Sequence, residues 1–473
     1  MSDIALFIVN LITITALGFY LILNLQWYSY RLYRVVLKHH KIYWHLLYFI
    51  APIVAYFTLG KLFYIALLIY LVALVVWYRG VDKKLVFTWR VKRFFILLIS
   101  MSILLNLLCI AVLECEMLPL VLPLILSYLL SWAIEKYLAI LYYNRAKRKL
   151  QDREDLIIVA ITGSYGKTSM KNFLSSILSS KYQTYMTPRS VNTLGGIVYD
   201  INENLPDDCE IYICEAGARE RGDILEIAEL LEHHFAIVGE VGEQHIEYFK
   251  TLENIKRTKL ELVSSPRLKR AFVHHKVTDE PHDRVEFFGS NIEILSSTLD
   301  GLQFKIGDDT LNTKLLGSFN AINIAAVYSV AQKLGMSTDE IGANVARLKS
   351  VDHRLQRIDA GGKIILDDGY NGNLSGISEG IRLCQTHTGR KLIVTPGLVE
   401  SNDQLNADLA ELINKVFDIA IITGSLNVAL FRDKLDIEEV IYLEDKSTLV
   451  EILAQKSRAG DIVYFANDAP NFI

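Results

Sequence analysis

Long apolar runs dominate the first third of the chain and then stop. Five such segments lie at about 4–26, 43–59, 62–78, 94–113 and 117–134. Each is close to the length that an α-helix needs to cross a bilayer, although the second and third are at the short end. The first segment has no basic region before it and no small-residue cleavage site, so it is interpreted as a retained span. The pattern predicts a helical membrane domain of about five spans over residues 1–136.

Basic residues occupy alternate loops between these segments. The loops after the first and third segments and the stretch after the fifth carry almost all the Lys and Arg of this region, whereas the intervening loops carry only Lys61. Basic loops remain in the cytoplasm. The alternation predicts an N-terminus outside the cytoplasmic membrane and a cytoplasmic location for the rest of this multi-pass chain.

A different pattern begins after a basic amphipathic stretch at 137–155, which we interpret as a connector along the membrane surface. Short apolar strands then alternate with amphipathic helices, as in a doubly wound α/β domain. A second alternation starts near residue 363, and 285–315 has short alternating runs typical of antiparallel strands. We expect a central P-loop domain over 156–349 and a smaller Rossmann-like domain over 350–473.

The amino-acid composition excludes some kinds of partner and site. The hydrophobic fraction of 51% averages a membrane part and an ordinary soluble part. A net charge of −4 gives no reason to expect a nucleic-acid partner. The five cysteines are scattered without a CxxC pair, so the sequence predicts neither a disulfide framework nor a thiolate zinc site.

A glycine-rich turn carries the strongest chemical signal. It directly follows an apolar strand and directly precedes a helix, which places backbone N–H groups and a helix N-terminus around a phosphate. Lys167 is placed to reach the terminal phosphates, and the Thr168 hydroxyl to ligate Mg²⁺. The predicted ATP-binding loop consists of Gly163, Ser164, Tyr165, Gly166, Lys167, Thr168 and Ser169.

This loop, two residues shorter than the usual P-loop, resembles that of the Mur ligases, the ATP-dependent amide ligases of peptidoglycan precursor synthesis. Further motifs follow in that family's order: Glu215–Ala218, Gln244–Phe249 and Lys259–Glu261. The resemblance implies two Mg²⁺ ions, a carbamylated lysine at position 259, and Lys167, His245 and Lys259 as catalytic residues. The implied metal ligands are Thr168, Glu215, His245 and carbamylated Lys259.

The resemblance extends to the nucleotide and substrate contacts. It implies ATP contacts from Asn320, Asn323, Arg354 and Asp368, and substrate contacts from Asn192, Thr193, Tyr370, Asn371 and Asn373. Tyr165 stands where the family usually has Asn, and Phe319 where it has His. No counterpart of the family's small N-terminal nucleotide-sugar domain is found, because the apolar segments occupy its place.

The segment 367–373 points, within this family, to ligases that join D-Ala-D-Ala to UDP-MurNAc-tripeptide through an acylphosphate. The implied partners are those two small molecules, membrane lipid and other membrane-associated cell-wall enzymes, and the implied location is the bacterial inner membrane. Two alternatives stay open: a related membrane-bound ligase acting on another peptide, polymer or lipid-linked acceptor, and a non-catalytic ATP-binding scaffold. An ATP-driven transporter is disfavoured, because the spans contain almost no charged residues.

Overall fold

The computed structural model describes the chain in two compact units, Met1–Leu141 and Tyr142–Ile473. The description leaves out residues 1, 2, 29, 38, 40, 82, 114, 116, 190, 243–245, 279, 281, 282, 371, 400 and 469–473, together with the side chains of 3, 246 and 247.

The first unit is helical, and its helices coincide with the five predicted apolar segments. Four helices are long and apolar enough to cross a membrane, and a fifth is apolar but shorter. The long helices are Ile4–Trp27, Gly60–Gly80, Trp89–Leu113 and Val121–Gln151; the shorter one is Tyr43–Thr58, and a short helix Leu32–Leu37 precedes it. The prediction of an apolar helical N-terminal part is therefore confirmed.

Side-chain contacts show that successive segments of this unit run in alternating directions. At one end, Asn10 Nδ2 donates to the Tyr56 hydroxyl at 2.9 Å, and Asn106 Nδ2 donates to Asn10 Oδ1 at 2.9 Å. At the other end, Trp27 Nε1 donates to the Lys83 carbonyl at 2.8 Å. The start of the first helix thus lies beside the ends of the second and fourth, as an up-and-down bundle requires.

One prediction for this unit is wrong. Cys109 and Cys115 form a disulfide, whereas the cysteine spacing predicted no disulfide framework. The fourth segment ends in a π-helical turn, Cys109–Leu113, and the Cys115 N–H donates to the Cys109 carbonyl at 3.1 Å. This local turn brings together two thiols that lack any recognisable spacing signature. The other three cysteines, Cys209, Cys214 and Cys384, are buried free thiols.

The second unit contains a six-stranded parallel sheet in the order β2-β3-β1-β4-β5-β6. Its strands are almost continuous apolar runs, because helices cover both faces. The strands are β1 (Ile157–Thr162), β2 (Thr184–Met186), β3 (Ile211–Glu215), β4 (Phe235–Val238), β5 (Arg270–His274) and β6 (Val285–Phe288). The helices around this sheet are Lys167–Leu178, Leu194–Glu203, Asp223–Leu231, Ile246–Phe249, Leu252–Leu260, Phe319–Lys333 and Thr338–Val345.

An antiparallel three-stranded sheet follows, formed by β7 (Ile292–Thr298), β8 (Gly301–Ile306) and β9 (Asp309–Thr313). The prediction of antiparallel strands over 285–315 is correct only from Ile292 onward. The earlier part of that range is β6, which pairs in parallel with β5 and belongs to the central sheet. Its half-buried edge position gives it the alternating pattern that suggested an antiparallel strand.

A second six-stranded sheet has the order β10-β11-β15-β12-β13-β14, with β10 antiparallel to the rest. This confirms the predicted α/β C-terminal part. Its strands are β10 (Gln356–Ala360), β11 (Lys363–Asp368), β12 (Lys391–Thr395), β13 (Ile419–Thr423), β14 (Glu439–Leu443) and β15 (Ile462–Ala466). Its helices are Leu374–Gln385, Asp403–Val416, Val428–Lys434 and Leu449–Lys456.

The predicted domain limits at 136, 155 and 349 stay predictions. Val121–Gln151 is one continuous helix of 31 residues, so the predicted connector begins inside it. Near 349 the two α/β parts share apolar contacts. Leu316, from the segment before helix Phe319–Lys333, is buried with Leu355 in the core around β11 and β15, and Phe319 packs against the same cluster.

Candidate active site

The phosphate loop lies between the end of β1 and the first turn of helix Lys167–Leu178. Gly166 has φ +74°, in the left-handed region that favours glycine, and an added Cβ would lie 2.3 Å from Asn323 Oδ1. A Cβ on Gly163 would lie 3.2 Å from the Cα of Gly239. The loop therefore requires glycine at both positions, and the predicted strand–loop–helix arrangement is present.

The segment after β4 supports this loop from behind. Ser164 donates its backbone N–H to the Glu240 carbonyl at 2.8 Å and its hydroxyl to the Gly242 carbonyl at 3.1 Å. The Tyr165 ring lies so close to Gly242 that a Cβ there would be 2.5 Å from Tyr165 Cε2. Tyr165, the departure from the resembled motif, thus packs on the supporting segment.

Lys167 folds back over its own loop. Its Nζ donates to the carbonyls of Gly163 at 2.8 Å and Ser164 at 2.9 Å. Burial lowers the pKa of Lys167 to about 8; the negative charge of Glu215 opposes this shift and Arg354 adds to it. An anion in the loop would stabilise the charged ammonium, so the site is suited to a polyphosphate.

Glu215 connects two other predicted site residues, Thr168 and Asn192. It ends β3, is 3% exposed, and accepts hydrogen bonds from the Thr168 hydroxyl at 3.1 Å and from Asn192 Nδ2 at 3.2 Å. Gly217 allows Asn192 to approach, because a Cβ at Gly217 would lie 2.9 Å from Asn192 Cγ. A hydroxyl and a carboxylate in contact are hard oxygen ligands of the kind Mg²⁺ prefers, so this pair fits the implied ion.

Lys171 is a site residue that the sequence analysis missed. It is 1% exposed, and its Nζ lies 3.3 Å from Glu215 Oε2 and donates to the Pro188 carbonyl at 3.4 Å. A buried carboxylate needs a charge partner or a metal. Lys171 supplies that charge in the structure. The one available signal was its position, one helical turn after Lys167 on the same face.

Lys259 lies in the last turn of helix Leu252–Leu260 and is 4% exposed. Burial lowers its pKa to about 7, and the positive charge of Lys167 lowers it further, while nearby carboxylates oppose the shift. Glu261 fixes the backbone here: its carboxylate accepts the N–H groups of Gly222 at 3.0 Å and Leu225 at 3.1 Å. The charge of Lys167 acts on Lys259, and the predicted catalytic and metal-binding role of Lys259 stays a prediction.

The predicted nucleotide contacts form two groups. Asn323 lies against Gly166 and donates from Nδ2 to Asn320 Oδ1 at 3.2 Å, while Asn320 Nδ2 donates to the Leu316 carbonyl at 2.7 Å. Asn323 therefore borders the phosphate loop. Asn320 is 4% exposed and holds the start of its helix.

Arg354 and Asp368 belong to the second group. Arg354 Nη1 donates to the Tyr370 carbonyl, and burial lowers the pKa of its guanidinium. Asp368 is 1% exposed, and its oxygens accept the Leu355 N–H at 3.0 Å and the Tyr464 hydroxyl at 3.2 Å. Asp368 thus fixes the turn that carries Arg354, and its predicted contact with ATP stays a prediction.

The remaining described substrate candidates are Tyr370, Thr193 and Asn373. Tyr370 is 51% exposed, with the guanidinium of Arg189 5.6 Å from its ring centroid. Thr193 and Asn373 cap helices, accepting the N–H groups of Gly196 at 3.4 Å and Gly376 at 2.8 Å. Ser169 lies buried in the first turn after the loop.

Two predicted residues, His245 and Asn371, lie outside the described residues. Among the residues that are described, no three His, Cys, Asp or Glu side chains cluster closely enough to hold a metal ion. The predicted ligand set includes a threonine and a modified lysine as well as His245, so that finding leaves the set as a prediction.

Comparison with known proteins assigns the class of the central domain. Residues 161–331 match the family described as "Mur ligase middle domain". This stretch covers the phosphate loop, Glu215, Lys259 and the two asparagines beside the loop. The resemblance predicted from motif order is therefore confirmed.

Two relatives of the same name and one solved structure illustrate this similarity. The chain is 23% identical over 336 residues to UDP-N-acetylmuramoyl-tripeptide–D-alanyl-D-alanine ligase of Bacillus subtilis (strain 168), covering 65% of this chain and 72% of the relative. It is 26% identical over 336 residues to the ligase of the same name from Treponema pallidum (strain Nichols), covering 65% and 71%. In fold it is similar to MurF ligase from Thermotoga maritima in complex with ADP, with TM-score 0.62, 24% identity and coverage of 70% and 80%.

Proposed function

We propose that the chain is an ATP-dependent amide ligase of peptidoglycan precursor synthesis that joins D-Ala-D-Ala to the peptide carboxylate of UDP-MurNAc-tripeptide. The observation that carries this proposal is the convergence of Lys167, Thr168, Glu215 and Lys259 around one glycine loop. Relatives named for this reaction match 65% of the chain.

The chain's own residues account for the binding and orientation of the reactants. The loop N–H groups and Lys167 hold the nucleotide phosphates, and Asn192 borders the carboxylate of Glu215. The acceptor carboxylate attacks the γ-phosphate of ATP, which gives an acylphosphate and ADP. The amine of the dipeptide then displaces phosphate and forms the amide, so no protein nucleophile is needed.

Thr168 and Glu215 would hold a Mg²⁺ ion, and His245 with a carbamylated Lys259 would hold a second. Bound Mg²⁺ supplies positive charge that offsets repulsion between the γ-phosphate and the acceptor carboxylate. The burial of Lys259 supports its modification, because a neutral amine is the form that reacts with CO₂, and burial favours that form.

A separate group of residues is proposed to bind the substrate. Tyr370, Asn371 and Asn373 are proposed to contact the dipeptide, and the exposure of Tyr370 leaves it accessible. The N-terminal unit is made of apolar helices where the resembled family holds its nucleotide sugar. A ligase of the same chemistry that acts on a lipid-linked acceptor is therefore the second candidate.

We also propose that the apolar helices span the bacterial inner membrane with the N-terminus outside and the ligase part in the cytoplasm. Two observations support this orientation. Basic loops follow the first and third helical segments, which end on the same side of the bundle. The disulfide Cys109–Cys115 lies at the opposite end of helix Trp89–Leu113, and disulfides persist in oxidising compartments.

A product assay tests the function. Full-length protein is incubated with ATP, Mg²⁺, UDP-MurNAc-tripeptide and D-Ala-D-Ala, and UDP-MurNAc-pentapeptide is measured by mass spectrometry. Lys167→Ala should abolish the product, while Lys181→Ala, on the surface in the turn after the same helix, should leave it unchanged. Product formation by Lys167→Ala at the normal rate would contradict the assignment of the loop.

The same assay separates the alternatives. Absence of pentapeptide from the active wild-type protein, with product from a lipid-linked tripeptide, would favour the second candidate. ATP binding without phosphate release in the presence of any acceptor and amine would favour a scaffold. Comparison with a protein that starts at Asp152 tests whether the apolar helices contribute to substrate binding.

A further inference from the structure

A small cleft opens among the apolar helices of the N-terminal unit, at the end where helix Trp89–Leu113 begins. It is open to the surface and is lined by residues of three helices and the turn after the first. Its polar lining residues are Tyr30, Arg90, Tyr128 and Ser131, and its apolar lining residues are Ile22, Leu25, Phe94 and Trp132. The catalytic chemistry described above uses none of these residues.

Arg90 brings a positive charge that the described residues of this unit only partly match. Its guanidinium stacks on the Tyr30 ring, with 3.5 Å between the Cζ atom and the ring centroid. The carboxylate near it is Glu135, at 3.9 Å, but Glu135 is bound more closely by Arg93 at 2.7 Å. Two arginines thus share one carboxylate, which leaves one cation in excess among the residues described at the cleft.

Ser131 presents a hydroxyl to the cleft. The residue is 8% exposed, and within the part of the chain that the structure describes its hydroxyl forms no hydrogen bond, so it remains accessible from the cleft. Buried hydroxyls elsewhere in these helices donate to the carbonyl four residues earlier: Ser102 to Leu98 at 2.6 Å and Thr13 to Val9 at 2.7 Å. A polar group in an apolar helix bundle needs such a partner. The cleft is where Ser131 can find one.

The cleft lies beside exposed tryptophans, and this position indicates the chemical class of its ligand. Trp89 is 72% exposed and Trp132 is 51% exposed at the same end of the helices, as expected for aromatic anchors at a membrane interface. An arginine with neighbouring hydroxyls matches the oxygens of a phosphate. The apolar side of the cleft, which includes Phe94, matches the glycerol and acyl region that an inorganic phosphate lacks.

We propose that this cleft binds the phosphate headgroup of an anionic membrane lipid, with Arg90 and the Ser131 hydroxyl as its phosphate ligands. The lipid is a bound component of the N-terminal unit. This proposal is independent of the ligase reaction and of the direction in which the helices cross the membrane, because it depends only on contacts inside the N-terminal unit.

Native mass spectrometry of the full-length protein in a non-ionic detergent tests the proposal. The ligands are phosphatidylglycerol, diacylglycerol, which lacks the phosphate, and inorganic phosphate, which lacks the acyl chains. We expect one phosphatidylglycerol per chain, bound at least about tenfold more tightly than either other ligand. Equal binding of diacylglycerol would overturn the proposal, and equal binding of inorganic phosphate would show a soluble-anion site instead.

Single substitutions test whether Arg90 and Ser131 contact the phosphate. Arg90→Gln should weaken phosphatidylglycerol binding about tenfold or more, because it removes a charge-assisted hydrogen bond. Lys92→Gln is the matched control: it removes one charge from the same helical turn, but Lys92 lies over the Trp89 ring outside the cleft. Ser131→Ala, which leaves the Arg93–Glu135 pair intact, should weaken binding about threefold. Equal loss in Arg90→Gln and Lys92→Gln, or none in Ser131→Ala, would refute the site.

Discussion

Replacement of Lys171 by Met tests whether its charge is what makes the buried Glu215 tolerable. The methionine preserves most of the volume but removes an ammonium 3.3 Å from Glu215 Oε2 and 3.4 Å from the Pro188 carbonyl. Both side chains of the ion pair are almost completely buried, at 2% and 4% exposure. Removal of one partner of such a pair costs about 3–5 kcal/mol, since the other charge is left uncompensated.

Thermal unfolding of the full-length protein in detergent with EDTA measures this cost. A loss of about 3 kcal/mol corresponds to a Tm lower by about 4 °C for a cooperative unit of about 330 residues. Mg²⁺ should raise the Tm of Lys171→Met more than that of the wild type, because the ion replaces the missing charge beside Glu215. Lys305→Met, which removes an exposed pair with Glu293 at 3.8 Å, should cost less than about 1 kcal/mol.

Two results would refute this reasoning. An unchanged Tm of Lys171→Met in EDTA would show that the ion pair does not support the fold. The second result is a Tm of Lys171→Met that is lowered in EDTA as expected but is raised by Mg²⁺ no more than the Tm of the wild type. It would show that Glu215 is not a ligand of the ion.

Three further predictions concern other parts of the chain. Gly166→Ala should weaken ATP binding about tenfold or more by calorimetry, because the new Cβ would lie 2.3 Å from Asn323 Oδ1, whereas Gly195→Ala, with open space around it, should bind normally. Burial lowers the pKa of Lys259 to about 7, so the fraction of this amine that is neutral and able to react with CO₂ decreases as the pH is lowered through 7. Activation of the enzyme by bicarbonate should therefore decline from about pH 8 to about pH 6. Activation that is independent of pH would contradict this prediction. In intact cells, an impermeant maleimide should label the Cys109–Cys115 thiols only after reduction, and a need for membrane permeabilisation would reverse the proposed orientation.

Features set by local chemistry could be predicted from the sequence. The glycines at 163 and 166 are needed for one tight turn, so the strand, loop and helix around them follow directly from the order of residues. The apolar segments are likewise local, because each helix in a membrane must satisfy its own backbone.

Features set by contacts across the fold could not be predicted. Lys171 resembles any other helical lysine until β3 places Glu215 opposite it, so its role depends on the arrangement of strands in the sheet. The disulfide depends on a π-helical turn at Cys109, which the spacing of the cysteines in the sequence does not predict. The pattern of β6 resembled an antiparallel strand because an edge strand is only half-buried, whichever direction it runs.

The apolar contacts around residue 349 bear on how the ligase part unfolds. Leu316 and Phe319 precede the predicted domain limit, yet they pack with Leu355 in the core of the C-terminal sheet. The core of one sheet is thus completed by residues that belong to the other, so loss of either part exposes apolar surface on both. We therefore expect the two α/β parts to melt in a single cooperative calorimetric transition. A protein cut at residue 349 would leave that surface open to solvent and to aggregation.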